Sequence, residues 1–167
     1  VEVVIPDFKP KLKVKGKYIN GNRDGIWTEY YEDGKRKTEL NYSNGKFNGL
    51  QSYWHPNGNK IEEKNYINGK QEGFLTKFFE ETGIKKEESY FIDGVQQGLW
   101  TEWFGDGQKK RERNFSNGER DSIWTTWYEN GNKKLQATYL NGKLNGKYIS
   151  WYDGGIIKEK DGDYLDN

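Results

Sequence analysis

The phrase Tyr/Phe-x-Asn/Asp-Gly recurs at Tyr18 to Gly21, Tyr42 to Gly45, Tyr66 to Gly69, Phe91 to Gly94, Phe115 to Gly118 and Tyr139 to Gly142, in steps of 24, 24, 25, 24 and 24 residues. Self-similarity at a fixed period of this size marks an array in which each supersecondary unit buries its apolar surface against its neighbours rather than in a globular core. The chain is therefore expected to be a scaffold.

A second phrase opens each unit, as in Gly25-Ile-Trp27-Thr-Glu-Tyr30-Tyr31-Glu-Asp-Gly34 and Gly98-Leu-Trp100-Thr-Glu-Trp103-Phe104-Gly-Asp-Gly107. Aromatic residues and Thr between Gly-containing turns are strand chemistry. The stretch that follows, such as Lys35 to Asn41, is polar, has neither a helix cap nor a helical apolar period, and reads as the return strand. One set of turns falls at Asp33-Gly34, Asn57-Gly58, Asp106-Gly107 and Asn130-Gly131, and a second at the Asn/Asp-Gly pair after each repeat Tyr or Phe. Asn-Gly and Asp-Gly supply positive φ at little steric cost. Two turns per period give two antiparallel strands per repeat. The predicted fold is all-β: an elongated single-layer antiparallel meander of about six 24-residue β-hairpin repeats, about twelve strands, roughly 55 to 60 Å long. Residues 1–17 are read as a lead-in with a candidate half-repeat at Leu12 to Lys17, 18–162 as the array, and 163–167 as a tail.

Composition sets what holds such a sheet together. Charged residues make up 32% of the chain and mean hydropathy is -1.17, yet seven Trp, twelve Tyr and eight Phe supply burial that a disordered chain lacks. Lys plus Arg number 27 against 26 Asp plus Glu, so the basic excess of a nucleic-acid binder is missing. The absence of Cys excludes disulfides, thiolate metal sites and a Cys nucleophile. No run approaches the roughly 18 apolar residues of a membrane span. The chain opens on Val1 rather than Met, so it is read as following a removed upstream residue, with Val1 to Pro10 a linker remnant and the compartment, bacterial cytoplasm or envelope, unassigned.

Alternation along each strand assigns the faces. Ile26, Thr28 and Tyr30 share one side; Trp27, Glu29 and Tyr31 share the other. Trp27, Tyr31, Trp100, Phe104, Trp124 and Tyr128 are the leading candidates for contacting a partner, and Trp54, Trp103, Trp127 and Trp151 are the candidates on the opposite face. On the return strands Lys37, Lys86, Lys110, Lys134 and Lys158 form one column and Glu39, Glu63, Glu88 and Glu112 another, expected to pair across strands and to lay Lys stems over rings.

The pattern Gly-x-Trp-x-x-Tyr-Tyr-x-x-Gly, followed by Lys, Glu and Tyr-x-Asn-Gly-Lys-x-x-Gly, resembles the bacterial variant of the MORN repeat, a group often labelled as the antitoxin family of a toxin–antitoxin pair. The likeness runs from Tyr18 to about Tyr152. It implies an elongated sheet of hairpins and a non-enzymatic role in protein or membrane association. The departures are Ser122 in place of the Gly at 25, 49, 73, 98 and 146, Gln51 and Leu75 in place of the first ring, an extra residue in Glu80-Glu81-Thr82-Gly83, and a degenerate last unit after Asp153-Gly154-Gly155. Choline- and glucan-binding repeats also combine Gly, Trp and Tyr-Tyr, but with a shorter period and no Lys/Glu return strand.

Catalytic sets are missing. His55 is the sole histidine, so neither a multi-histidine metal site nor a supported Ser/His/Asp triad can form. Glu62-Glu63, Glu80-Glu81 and Glu87-Glu88 are neighbours in sequence, which on a strand sends the two carboxylates to opposite faces. The tail from Asp161 to Asp166 has calcium-loop spacing without the closing Glu and reads as a frayed terminus. No cofactor is expected. The function predicted is a non-enzymatic protein-interaction scaffold, antitoxin- or immunity-like, with a protein as partner. The alternative is an envelope-associated or secreted module that binds glycan through exposed Trp and Tyr. Unpaired terminal strands add a third route, edge-to-edge self-association or strand addition, unless Val1 to Ile5 and Gly155 to Lys160 cover those edges.

Overall fold

The computed structural model describes residues 13–155 and 158–164, and the Val1 to Ile5 and Val1 to Pro10 segments lie outside them. The described residues form one antiparallel sheet of thirteen strands in which every strand pairs only with its sequence neighbours. They are β1 (Val14–Ile19), β2 (Asn22–Tyr30), β3 (Arg36–Ser43), β4 (Lys46–Trp54), β5 (Lys60–Ile67), β6 (Lys70–Phe78), β7 (Lys85–Ile92), β8 (Val95–Trp103), β9 (Lys109–Ser116), β10 (Glu119–Trp127), β11 (Lys133–Leu140), β12 (Lys143–Trp151) and β13 (Lys158–Tyr164). The single-layer meander is as predicted. A strand, β1, overlaps the Leu12 to Lys17 segment, of which Leu12 lies outside the described residues, and the tail is a strand as far as Tyr164 rather than a frayed end. Among the described residues no helix is long and apolar enough to cross a membrane.

The two sets of turns differ in kind. Each Asn/Asp-Gly after a repeat Tyr or Phe is a two-residue loop with positive φ at both positions, for example Asn44 at 47° and Gly45 at 78°, the type I′ geometry whose twist matches the strands it joins. At the other end only the Gly has positive φ, as at Gly34 (87°). The Asp or Asn before it has a different task from the one predicted: its side chain accepts from the backbone two residues on. Asp33, Asn57, Asp106 and Asn130 accept in this way from Lys35, Asn59, Gln108 and Asn132 at 2.8 to 3.0 Å. The extra residue in the third repeat widens that turn, so Gly83 N–H donates to Phe79 O where Gly34 N–H donates to Tyr31 O.

Repeats are tied to one another at both ends of the strands. From the second I′ turn onward the Gly donates its N–H to a carbonyl in the preceding repeat, Gly45 to Arg23, Gly69 to Phe47 and so on to Gly142 with Arg120, at 2.8 to 2.9 Å. At the opposite ends Asn57 and Asn59 donate to Glu80 O, and Asn130 and Asn132 to Asp153 O.

Every even-numbered strand also carries a bulge. In β3–β4 the register runs from Tyr42↔Phe47 to Leu40↔Gln51, so Asn48, Gly49 and Leu50 oppose Asn41 alone. The Gly adopts positive φ at 25, 49, 73, 98 and 146, and Ser122 holds the same conformation at 57°. A non-Gly residue there costs roughly 1–2 kcal/mol, part of which Gly returns through unfolded-state entropy. Replacing Ser122 by Gly is therefore expected to stabilise the protein by about 0.5–1 kcal/mol and raise Tm by about 1–4 °C, read by calorimetry.

Candidate functional site

The Trp27 face is built on the bulge. Three residues opposing one interrupt the ladder, and a side chain from the bulged strand reaches back to the neighbouring strand's backbone at or beside that point. Trp27 Nε1 donates to Lys17 O at 3.1 Å, and Trp124 Nε1 to Asn114 O at 3.0 Å. Gln51, which replaces a ring, does the same work more completely. Its Nε2 donates to Asn41 O and Gly49 O, and its Oε1 accepts from Asn41 N–H, all at 2.9 to 3.0 Å. Gln51 is 0% exposed because the whole amide is used. Leu75 has no polar atom to offer.

Around these plugs the rings form two ladders. Tyr18, Trp27, Tyr42, Phe47 and Tyr66 follow one another with centroids 4.8 to 6.4 Å apart, and Phe115, Trp124 and Tyr139 form the second at 4.8 to 5.5 Å. Arg23 caps Trp27 and Tyr42, and Arg120 caps Trp124 and Tyr139. Each ring pair is worth about 0.5–1.5 kcal/mol beyond its buried area. Trp27 (8% exposed) and Trp124 (9%) are thus interior, which corrects their assignment as contact residues. A ladder of rings on one face of a sheet covers its own members. Tyr31, Trp100, Phe104 and Tyr128 stay half-buried and open on one side.

The ladders are interrupted between Tyr66 and Phe115, and recesses open from there into repeat five. One, of about 280 Å³, is lined by Leu75, Ser89, Phe91, Gln96, Trp100 and Arg113 among others. Arg113 lies over Trp100 at 4.4 Å and Trp124 at 4.9 Å. Its pKa is pushed below the ordinary arginine value by burial and by neighbouring Arg111, and its Nε has no hydrogen-bond partner, like the amide nitrogen of Gln71. A second recess, about 350 Å³, opens between Phe104 and Tyr128 with Lys110, Arg111 and Lys134 on its walls, and a third, about 490 Å³, lies by Phe79, Glu80, Glu81 and Lys86. The second and third adjoin rings that lack a hydroxyl. Tyr31 and Tyr128 hydroxyls donate to Trp54 O (2.6 Å) and Trp151 O (2.9 Å) in the next repeat, whereas Phe79 and Phe104 carry no hydroxyl.

The Thr28 face has a different order. Thr28, Ser52, Thr76, Thr101 and Thr125 are buried in one row, alternating with Glu39, Glu63, Glu88 and Glu112. Those carboxylates pair with Arg36, Lys60, Lys85 and Lys109, three residues earlier on the same strand, and not with the predicted Lys37 column. The register shift beside each turn moves the Lys37 column to the Trp27 face, where Lys37 and Lys110 pair with Glu29 and Glu102 and Lys86, Lys110 and Lys134 overlie rings. Trp54, Trp103 and Trp151 lie half-buried under cationic side chains, for instance Arg36 at 5.1 Å from Trp54. Trp127 is half-buried in the same row. The Lys158 side chain lies outside the described residues.

His55 is a turn residue whose Nδ1 faces Asn57 N–H and whose Nε2 is 3.9 Å from Glu80. Glu62 and Glu87 pair with Lys64 and Lys77 on one face, Glu63 and Glu88 with Lys60 and Lys85 on the other. Among the described residues no three His, Asp or Glu side chains converge as metal ligands would. Sequence reasoning missed Arg113 and Gln96, although counting back from the I′ turn places Arg113 opposite Trp100.

A family model described as MORN repeat variant matches residues 23–44, 47–68, 96–117 and 120–141, together more than half of the chain. The unmatched span between the two pairs is the irregular third repeat. No curated protein matches the chain at a significant level. Among solved structures, the crystal structure of TarM aligns over 70% of this chain at 15% identity and a TM-score of 0.37, and the chain spans 20% of that structure's length.

Gln51→Leu is expected to strand the Asn41 N–H and carbonyl and cost about 2–4 kcal/mol, whereas Gln51→Trp, which restores a donor to Asn41 O, recovers at least half of that loss in urea unfolding.

Proposed function

The chain belongs to the MORN repeat variant family, and on that premise we propose that it is a non-enzymatic scaffold that binds a protein partner along the recessed middle of the Trp27 face. The observation that carries this reading is the run of recesses in repeats three to five, each floored by half-buried rings and walled by Lys or Arg. Aromatic floors with cationic walls are the composition of interface hot spots. Arg113 adds a desolvated cation with an unpartnered Nε–H, a donor that suits a carboxylate or a backbone carbonyl. An antitoxin- or immunity-like role is the form of this proposal in which the partner is a toxin or effector and the scaffold occludes it.

Trp100→Ala/Phe104→Ala is the variant of choice, because both side chains are half-buried while Trp124 is interior and its removal would test folding instead. With folding verified by Tm, affinity capture from a lysate of the source organism is expected to recover one protein on the wild type and to lose it on the variant, with a loss of affinity of at least ~2 kcal/mol, roughly thirtyfold. Recovery of nothing, or equal recovery on both forms, contradicts the proposal. Retention on a glycan array in that event would move the assignment to sugar binding.

A further inference from the structure

The bulge that plugs the Trp27 face also turns the residue after its Gly outward on the opposite face. The result is a row of Ile26, Leu50, Phe74, Leu99 and Ile123, each about half exposed, with Phe74 at 57%. Beside it, toward the I′ turns, runs a second row on the odd-numbered strands: Ile19, Ser43, Ile67, Ile92, Ser116 and Leu140. In this row the four Ile and Leu residues are exposed, as is Val95 opposite Ile92. Together these apolar residues, interleaved with Asn41, Asn65 and Asn114, leave roughly 900 Å² uncovered, close to the ~800 Å² per partner of a stable interface.

Both rows are near-symmetric about β6. The first reads Ile-Leu-Phe-Leu-Ile from β2 to β10, with Lys147 of β12 beyond the symmetric stretch; the second reads Ile-Ser-Ile-Ile-Ser-Leu from β1 to β11, with Ile19 matched by Leu140. A two-fold axis parallel to β6 and lying above Phe74 maps both rows onto themselves at once. Leu50 meets Leu99, Ile26 meets Ile123, Ile67 meets Ile92 and Ser43 meets Ser116 of the second copy. The repeat spacing is identical in both copies, so the match needs no adjustment along the array. Charged groups flank the rows on both sides: the Lys70–Asp93 pair at the rim by the I′ turns, and the Lys60–Glu63 and Lys85–Glu88 pairs toward the opposite turns.

We infer that this chain forms a two-fold dimer through the Thr28 face, with a second copy of itself as the occupant of the exposed apolar rows. Two stacked sheets pack about 10 Å apart, and with the axis parallel to β6 the facing strands run parallel, so strands equidistant from β6 meet each other along the array. The contact is isologous, each residue meeting its two-fold counterpart. The Trp27 faces point outward in the dimer, which leaves the recesses of both copies free. Loss of partner capture and loss of dimer are therefore separate results.

Sedimentation velocity up to about 100 μM should show a dimer with a micromolar Kd. Phe74→Lys should raise that Kd at least tenfold without altering the far-UV spectrum, since Phe74 is exposed. Because the chain has no Cys, single cysteines report geometry. Phe74→Cys should cross-link to itself, Leu50→Cys should cross-link to Leu99→Cys in a mixture and poorly to itself, and Glu87→Cys on the Trp27 face should not cross-link. A monomer at every concentration, or Leu50→Cys joining itself faster than it joins Leu99→Cys, overturns the proposal.

Discussion

One backbone feature governs both faces of this sheet. In each repeat three residues of one strand oppose a single residue of its neighbour, which interrupts the ladder and leaves backbone groups at or beside that point for a side chain to satisfy. An unpaired backbone group shielded from water costs about 1–3 kcal/mol, so the repeat needs a side chain with a donor at the position after the bulge. Trp27 and Trp124 supply an indole N–H and Gln51 an amide. The large body of the indole then seeds the ring ladder. The same bulge needs positive φ at the preceding Gly, and it exposes the apolar residue in between on the other face.

The remaining stabilisation is distributed and local. With Trp27, Trp124 and Ala137 the buried hydrophobic residues among those described, the protein has no core in the usual sense. Ring contacts, Thr–Glu–Lys units and turn-to-turn hydrogen bonds recur once per repeat, each small: surface ion pairs contribute about 0–1 kcal/mol and exposed cation–π contacts about 0.5–1. Such a sum behaves as a one-dimensional array in which each repeat depends on its neighbours. The third repeat has Leu75 where the plug belongs and a longer turn, and that is where the recesses begin.

Much of this is legible from the sequence. The period gave the hairpins, the Asn-Gly and Asp-Gly pairs gave the I′ turns, and strand alternation separated Trp27 from Thr28. Three things escaped it. Burial on a single-layer sheet depends on neighbours 24 residues away, so Trp27 and Trp124 read as surface residues although the ladder covers them. Glu39 was matched to the wrong lysine column because a bulge beside the turn shifts facing by one residue. Gln51 read as a lost ring because composition does not reveal that an amide and an indole can serve the same carbonyl. The exposed rows were visible as the residue between Gly and Trp, but their exposure depends on the bulge.

The scaffold thus divides its labour. Repeats one and two are closed by plugs and rings, the middle of the Trp27 face is open as far as the Phe104–Tyr128 recess, and the Thr28 face offers a nearly self-matching apolar surface. Everything rests on side chains completing the bulge, and amide hydrogen exchange tests that directly. Asn41 N–H, held by Gln51, should exchange at least about tenfold more slowly than Asn65 N–H, which faces Leu75 in the equivalent bulge. Equal exchange at the two positions would show that the bulge needs no plug, and the account would fail.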